Sequence, residues 1–195
     1  MFNDTIKKKQ KNNNLLNLLF KSKNIYGERI NESNKDLLPF IFGIRHNYTI
    51  INLKNVSNFL KIIFKLIKYT LQQKKKILFI GNSIDINFLV NIKFIKKNKN
   101  LFFLSEKLWI NGSITNKIDK ELNGWLKENK INLIFILKSD VNENFLNQEL
   151  MSLKIPIVSI INTNNTINNI TYPIVTNSKN IQSLYIIMYL LRKIF

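Results

Sequence analysis

The chain contains no cysteine, a single histidine (His46) and no alanine in 195 residues. Without cysteine there is no disulfide, no thiolate zinc site and no thiol nucleophile. One histidine leaves no cluster for a metal ion and no nucleophile–base pair of the Cys–His or Ser–His kind. Acidic residues are scarce as well, 12 against 30 basic ones, which gives a formal net charge of +18 and a pI near 10.0. Such a balance implies a polyanionic partner, nucleic acid or an anionic membrane face. Asn, Ile, Lys, Phe and Leu crowd the chain, and all have A/T-rich codons. An A/T-rich genome would raise lysine without selection for RNA binding, but it does not strongly disfavour Asp and Glu. Composition therefore explains only part of the basic excess.

Long apolar runs are also missing. The densest, residues 184–191, falls far short of the roughly 20 residues that a membrane span needs. Residues 1–23 hold Lys and Asn but no Arg and no apolar core, unlike a signal peptide or an Arg- and Ser-rich transit peptide. A product made inside an A/T-rich organelle needs no import signal, so a mitochondrial origin is expected, with a plastid as the alternative. The length suits one well-buried domain, and no repeat is visible.

Residues 1–36 read as a basic, partly disordered extension, with a short helix over 15–20 and a polar linker over 31–36. A single domain is expected over 37–195, where strand and helix patterns alternate. Strands are predicted over 40–43, 49–53, 77–80, 101–104, 133–137 and 157–161. Helices are predicted over 56–72, 84–97, 116–128, 143–153 and 178–194. On the first of these, Val56, Phe59, Leu60, Ile63, Ile67 and Leu71 share one face and Lys61, Lys65 and Lys68 another. The last helix is apolar almost all round, which implies burial within the domain or a covering neighbour. Alternation of this kind predicts an α/β fold, a mainly parallel sheet flanked by helices on both faces.

Five segments carry a resemblance. Trp109-Ile-Asn-Gly-Ser-Ile-Thr-Asn116 is similar to W-L-G-G-T-L-T-N, and Ile155-Pro-Ile-Val-Ser-Ile-Ile-Asn-Thr-Asn164 to I-P-V-I-A-I-V-D-T-N. The segment from Pro39 to Leu53 is similar to P-Y-I-x-G-x-R-N-G-x-H-I-I-D-L. Ile77-Leu-Phe-Ile-Gly81 resembles I-L-F-V-G, and Tyr172-Pro-Ile-Val-Thr-Asn177 resembles Y-P-I-P-G-N-D. In this order they resemble the small-subunit ribosomal protein two family. The resemblance implies a Rossmann-like domain without enzymatic role, contacting small-subunit rRNA and neighbouring ribosomal proteins, with no cofactor and no homo-oligomer. It also marks Gly43, Gly81, Trp109, Gly112, Thr115, Pro156 and Pro173 as framework positions. This sequence departs from the family at Asn162, where the family has Asp, and at Asn111, where it has Gly. Bacterial members also insert a helical hairpin after the T-x-T-N motif. Only residues 117–132 separate Asn116 from Leu133 here, too few for two antiparallel helices.

Candidate RNA contacts follow. The row Lys61, Lys65, Lys68 and the cluster Lys93, Lys96, Lys97, Lys99 can neutralise phosphates or form a merely solvated surface. Arg45 lies in a family motif, and Asn116 or its neighbour Thr115 is placed as a helix cap. Asn162, Thr163 and Asn164 end a strand, where they can bond phosphate or sugar or simply close a turn. Trp109 can pack over a sheet edge or stack on a partner. A rival reading is a nucleotide-binding α/β enzyme. Gly81-Asn82-Ser83 holds one glycine of the G-x-G-x-x-G fingerprint, and no acid ends the next strand. Asp85, Asp119 and Asp140 do not converge by spacing; Asp85 and Asp119 read as helix-start charges. A basic adaptor on an anionic membrane would want a strongly amphipathic basic terminal helix.

Overall fold

The computed structural model describes residues 14–81, 99–105, 112, 114–116, 120–137 and 148–193. Its centre is a five-stranded parallel sheet: β4 (Lys76–Gly81), β5 (Leu101–Ser105), β6 (Ile131–Ile136), β7 (Ile157–Ile161) and β8 (Tyr172–Val175). The strand order is β5-β4-β6-β7-β8, the 2-1-3-4-5 order of doubly wound folds. These strands read as near-continuous apolar runs because both faces are covered. Ile77, Phe79, Leu133, Phe135, Val158 and Ile160 face one core, and Leu78, Ile80, Ile134, Ile136 and Ile157 the other. The ring of Phe79 stacks on that of its cross-strand partner Phe135 at 5.4 Å.

The larger core is closed by two helices. α2 (Leu53–Gln72) buries Val56, Leu60, Ile63 and Ile67, a repeat that matches the helical period. Asn52 caps it, its side chain accepting from the backbone N–H groups of Lys54 and Asn55. α4 (Ile181–Arg192) buries Leu184, Ile187, Met188 and Leu191 in the same core. The smaller core is closed by α3 (Lys120–Asn129), through Leu126 and Trp125, and by the helical residues 148–151, through Leu150. The expected helix over 84–97 lies outside the described residues, as does the start of the one expected over 143–153.

A second, antiparallel sheet has the order β1-β3-β2, built from β1 (Tyr26–Arg29), β2 (Ile41–Arg45) and β3 (Tyr48–Ile51). The β2–β3 turn places His46 (φ 49°) and Asn47 (φ 63°) both in the left-handed region, as a two-residue hairpin turn requires. Here the structure corrects the expected domain boundary at residue 37. Residues 14–21 form helix α1, whose Leu19 is fully buried in the larger core, and β1 pairs with β3. Residues 30–32 and 35–40 form 3₁₀ turns rather than a linker. Residues 1–13 of the expected extension lie outside the described residues.

One further expectation is corrected. Residues 172–175, part of the segment that resembles the family's Y-P-I-P-G-N-D turn, form edge strand β8. Pro173 is tolerated there because an edge strand has a side with no ladder to complete. Of the two alternatives for the terminal helix, burial within the domain holds for one side only: Ile181, Tyr185 and Tyr189 are exposed, and the two tyrosine rings stack at 6.5 Å.

Helix ends show how a glycine-poor chain solves a common problem. A helix often closes on a residue in the left-handed region, usually glycine. Here lysine takes that place four times: Lys23, Lys74, Lys130 and Lys154 have φ between 46° and 59°. After α2 the bonds are those of a full capping motif, Lys74 N–H to the Leu71 carbonyl and Lys75 N–H to that of Thr70. A Cβ in this conformation costs about 1 kcal/mol. Lys74→Gly should therefore raise the stability of the protein by roughly 0.5–1 kcal/mol, read as a higher urea midpoint with unchanged slope. A fall in the midpoint would show that the lysine side chain contributes more than its backbone strain costs.

Candidate nucleic-acid interface

In doubly wound folds the carboxyl ends of the parallel strands form the ligand edge. At β7 and β8 the chain fills this edge with its own N-terminal segment. Asn162, which follows β7, is 1% exposed, and Thr163 is fully buried. The Asn162 side-chain amide donates to Glu28 Oε1 at 2.7 Å, and its Oδ1 accepts the Thr163 backbone N–H at 2.8 Å. Thr163 Oγ1 accepts the Glu28 backbone N–H at 2.7 Å, while the Thr49 hydroxyl donates to the Glu28 carbonyl at 2.8 Å. The Thr163 carbonyl accepts from the Asn34 N–H at 2.8 Å. Lys179 closes the ring with an ion pair to Glu28 at 2.9 Å. Beyond β8, the Thr176 hydroxyl donates to the buried Asn24 side chain at 2.9 Å, and Ser183 donates to the Ser22 carbonyl.

Asn162 and Thr163 are thus not surface contacts for RNA, because their polar groups are satisfied inside the fold. Asn164 alone of the three is exposed. Gly27, Glu28, Thr49, Asn24 and Thr176, which complete the clamp, were not legible in the sequence. A Cβ on Gly27 would fall against Thr49 Oγ1 and within 2.7 Å of Thr163 Cγ2, so the close approach of β1 requires glycine there.

The framework positions divide. Gly112 has φ 87° and is buried, and its N–H donates to the buried carboxylate of Glu149, which also accepts the Ile114 N–H at 3.3 Å. Thr115 and Asn116 are exposed in a turn closed by Asn116 N–H to the Gly112 carbonyl. Residues 117–119, which separate this turn from the described start of α3 at Lys120, lie outside the described residues. Gly81 ends β4 opposite Ser105, and Pro156 accepts a bond from the Ile134 N–H. Gly43 is not sterically required, since a Cβ there would meet nothing within 4 Å. Trp109, Lys93, Lys96 and Lys97 lie outside the described residues; so do Asp85, Asp119 and Asp140.

What faces outward is basic. Lys65 and Lys68 are exposed on α2 and Lys61 is half-buried, all on the side away from the core. The twenty residues of α2 contain no acid, so the row has no intrahelical ion pairs. Lys99 is exposed beside β5. Arg45 ends β2 opposite Tyr48, and Arg29 ends β1 opposite the same tyrosine. The bond to the Tyr48 hydroxyl, reinforced by the charge of that group and of Glu32, holds the Arg29 guanidinium above its ordinary pKa. Arginine is charged at every relevant pH regardless, so the shift leaves the charge of Arg29 unchanged.

Fold and surface together define a doubly wound α/β domain whose ligand edge is partly self-occupied and whose outer faces are cationic. The family described as Ribosomal protein S2 matches residues 19–130 and 117–194. The chain belongs to that family. Relatives named small ribosomal subunit protein uS2 include one from Bartonella henselae, 26% identical over 191 residues, covering 78% of this chain and 73% of the relative. One from Helicobacter hepaticus is 25% identical over 196 residues (82% and 74%), and one from Ehrlichia canis 20% over 198 residues (82% and 67%).

The clamp yields a test of the Asn162 departure. An aspartate at 162 would set a second carboxylate against Glu28 and remove the donor that Glu28 uses. Asn162→Asp should destabilise the protein by about 1–3 kcal/mol. Adding Glu28→Gln, which restores a donor across the contact, should recover a measurable part of that loss. Equal stability of the single and double variants in urea unfolding would show that the two side chains are not coupled.

Proposed function

We propose that this protein is a structural constituent of the small ribosomal subunit, binding small-subunit rRNA and neighbouring ribosomal proteins, without catalytic activity. Family membership carries this reading, and the relatives' names specify the subunit. The outward lysines support it, since they have no acidic neighbours on α2 and stand on a chain of charge +18. The exposed tyrosines of α4 offer a surface suited to a protein neighbour. An A/T-rich composition favours an organellar ribosome, mitochondrial first and plastid second. Residues 1–13, polar and lysine-rich, add to the basic charge available to RNA in this reading.

Sedimentation of the endogenous protein tests the assignment. Co-migration with the small subunit, at a salt concentration that strips loosely bound proteins, is the expected outcome. A free soluble pool would favour the nucleotide-binding alternative. Isolation of the organelles would then show whether that subunit is mitochondrial.

Affinity for small-subunit rRNA should fall steeply with salt as neutralised phosphates release counterions. Replacing Lys61, Lys65 and Lys68 together with Gln should lower affinity and flatten the slope of log affinity against log salt by up to roughly 3. An unchanged slope would remove this helix face from the interface while leaving the ribosomal assignment intact.

A further inference from the structure

The outer face of the three-stranded sheet carries a row in which one tyrosine stands between two arginines. Tyr48 on the central strand β3 is the register partner of Arg29 on β1 and of Arg45 on β2. Directly paired residues of antiparallel strands project to the same face, so the row Arg29–Tyr48–Arg45 lies on one side of the sheet. Thr49 and Ile51 alternate to the buried side, which confirms that Tyr48 points outward. Tyr48 is 43% exposed and both arginines are exposed. Arg29 reaches back over the tyrosine: its guanidinium carbon is 5.8 Å from the ring centroid, and its Nε lies 3.5 Å from the hydroxyl.

The neighbouring row on the same face is Tyr26–Ile50–Gly43. Tyr26 is 50% exposed, and the missing side chain at Gly43 leaves open space beside Ile50. Tyr26 and Tyr48 also line a groove of ≈ 710 Å³ with Asn177, Lys179 and Asn180, a volume within the range of small-ligand sites. The choice of arginine is informative in this chain. Only three of its 30 basic residues are arginine, and two of them flank Tyr48. Where lysine fills nearly every cationic position, a retained guanidinium points to stacking or forked hydrogen bonding, which an ammonium cannot supply.

We propose that this face holds an unpaired nucleotide of the small-subunit RNA, its base stacked on Tyr48 and its flanking phosphates bonded by Arg29 and Arg45. The assignment rests on the ribosomal reading above and adds to it a site and a mode. Sheet-borne aromatics flanked by cations suit splayed bases, because stacking accepts any base face and the arginines fix the backbone. A paired duplex offers no free base face to Tyr48, so the site discriminates single-stranded from double-stranded RNA. That separates it from the α2 lysines, which respond to phosphate density alone.

The test compares a twelve-nucleotide single-stranded oligoribonucleotide of mixed sequence with a perfect RNA duplex, each titrated with the full chain. Tyr48→Ala should weaken single-strand binding roughly tenfold or more and leave duplex binding within about twofold. Tyr48→Trp, which keeps a stacking ring without the hydroxyl, should retain single-strand binding and thereby controls for loss of fold. Arg29→Lys with Arg45→Lys, at unchanged charge, should also weaken the single strand. Ultraviolet cross-linking should map to the peptide that contains Tyr48. If the parent protein binds the single strand and Tyr48→Ala binds it equally well, the site is wrong and the ribosomal reading stands. If the parent protein binds neither probe and does not sediment with the subunit, both fail together.

Discussion

The contact between the end of β7 and the start of β1 is the constraint on which the rest depends. A parallel sheet leaves backbone and polar side chains at its carboxyl edge, and most doubly wound proteins satisfy them with a ligand or with loops. Here Asn162 and Thr163 bond Glu28, and Thr49 bonds it from the other side. The clamp satisfies groups that would otherwise be buried without partners, and it fixes the small sheet against the large one. Glu28 is the pivot because its backbone N–H, carbonyl and carboxylate are all engaged. Its side chain is only 15% exposed and its carboxylate meets an amide and an ammonium, so the charge is compensated where it is desolvated. With β1 held there, β3 and β2 follow by pairing, and the outer face of that sheet is turned to solvent.

That arrangement explains why a chain so rich in lysine can still fold around a conventional core. Lysine tolerates the surface and the helix ends, and it occupies even left-handed closing positions that glycine usually fills. Among the described residues no lysine is buried, since the strands supply the core with Ile, Leu, Phe and Val. Positive charge therefore accumulates on the outside by exclusion, on α2 and around the sheet edges. Net charge of this kind governs association and says little about fold. The two arginines beside Tyr48 differ, because their positions are matched to one aromatic ring.

The parallel sheet and α2 were legible in the sequence because burial on both faces, or on one helical stripe, writes itself as apolar period. Five of the predicted strands recur within a residue or two, and the strand over 157–161 recurs unchanged. The N-terminal module was not legible. β1 is Tyr-Gly-Glu-Arg, a four-residue strand with no alternation, and its pairing with β3 is a long-range fact that no local pattern encodes. Thr163 and Asn162 were legible as polar residues ending a strand, but not whether they faced a ligand or the chain itself. Deciding that requires knowing where Glu28 lies, more than 130 residues away along the chain. Trp109, Lys93, Lys96 and Lys97, singled out from the sequence, lie outside the described residues.

The crossover from β5 to β6 shows how little chain a parallel connection needs. The family matches this chain in two stretches, 19–130 and 117–194, which overlap across residues 117–130. α3 occupies that overlap and runs directly through Lys130 into β6, so one helix stands where both flanks of an insertion would meet. A right-handed parallel crossover needs only a dozen or so residues and one helix packed on the sheet. α3 meets that requirement through Leu126, and through Trp125, whose ring meets Phe102 edge-on at 5.3 Å. On the proposed ribosomal reading, the described faces that this chain offers for contact are the lysine row of α2, the tyrosines of α4 and the arginine-flanked face of the small sheet.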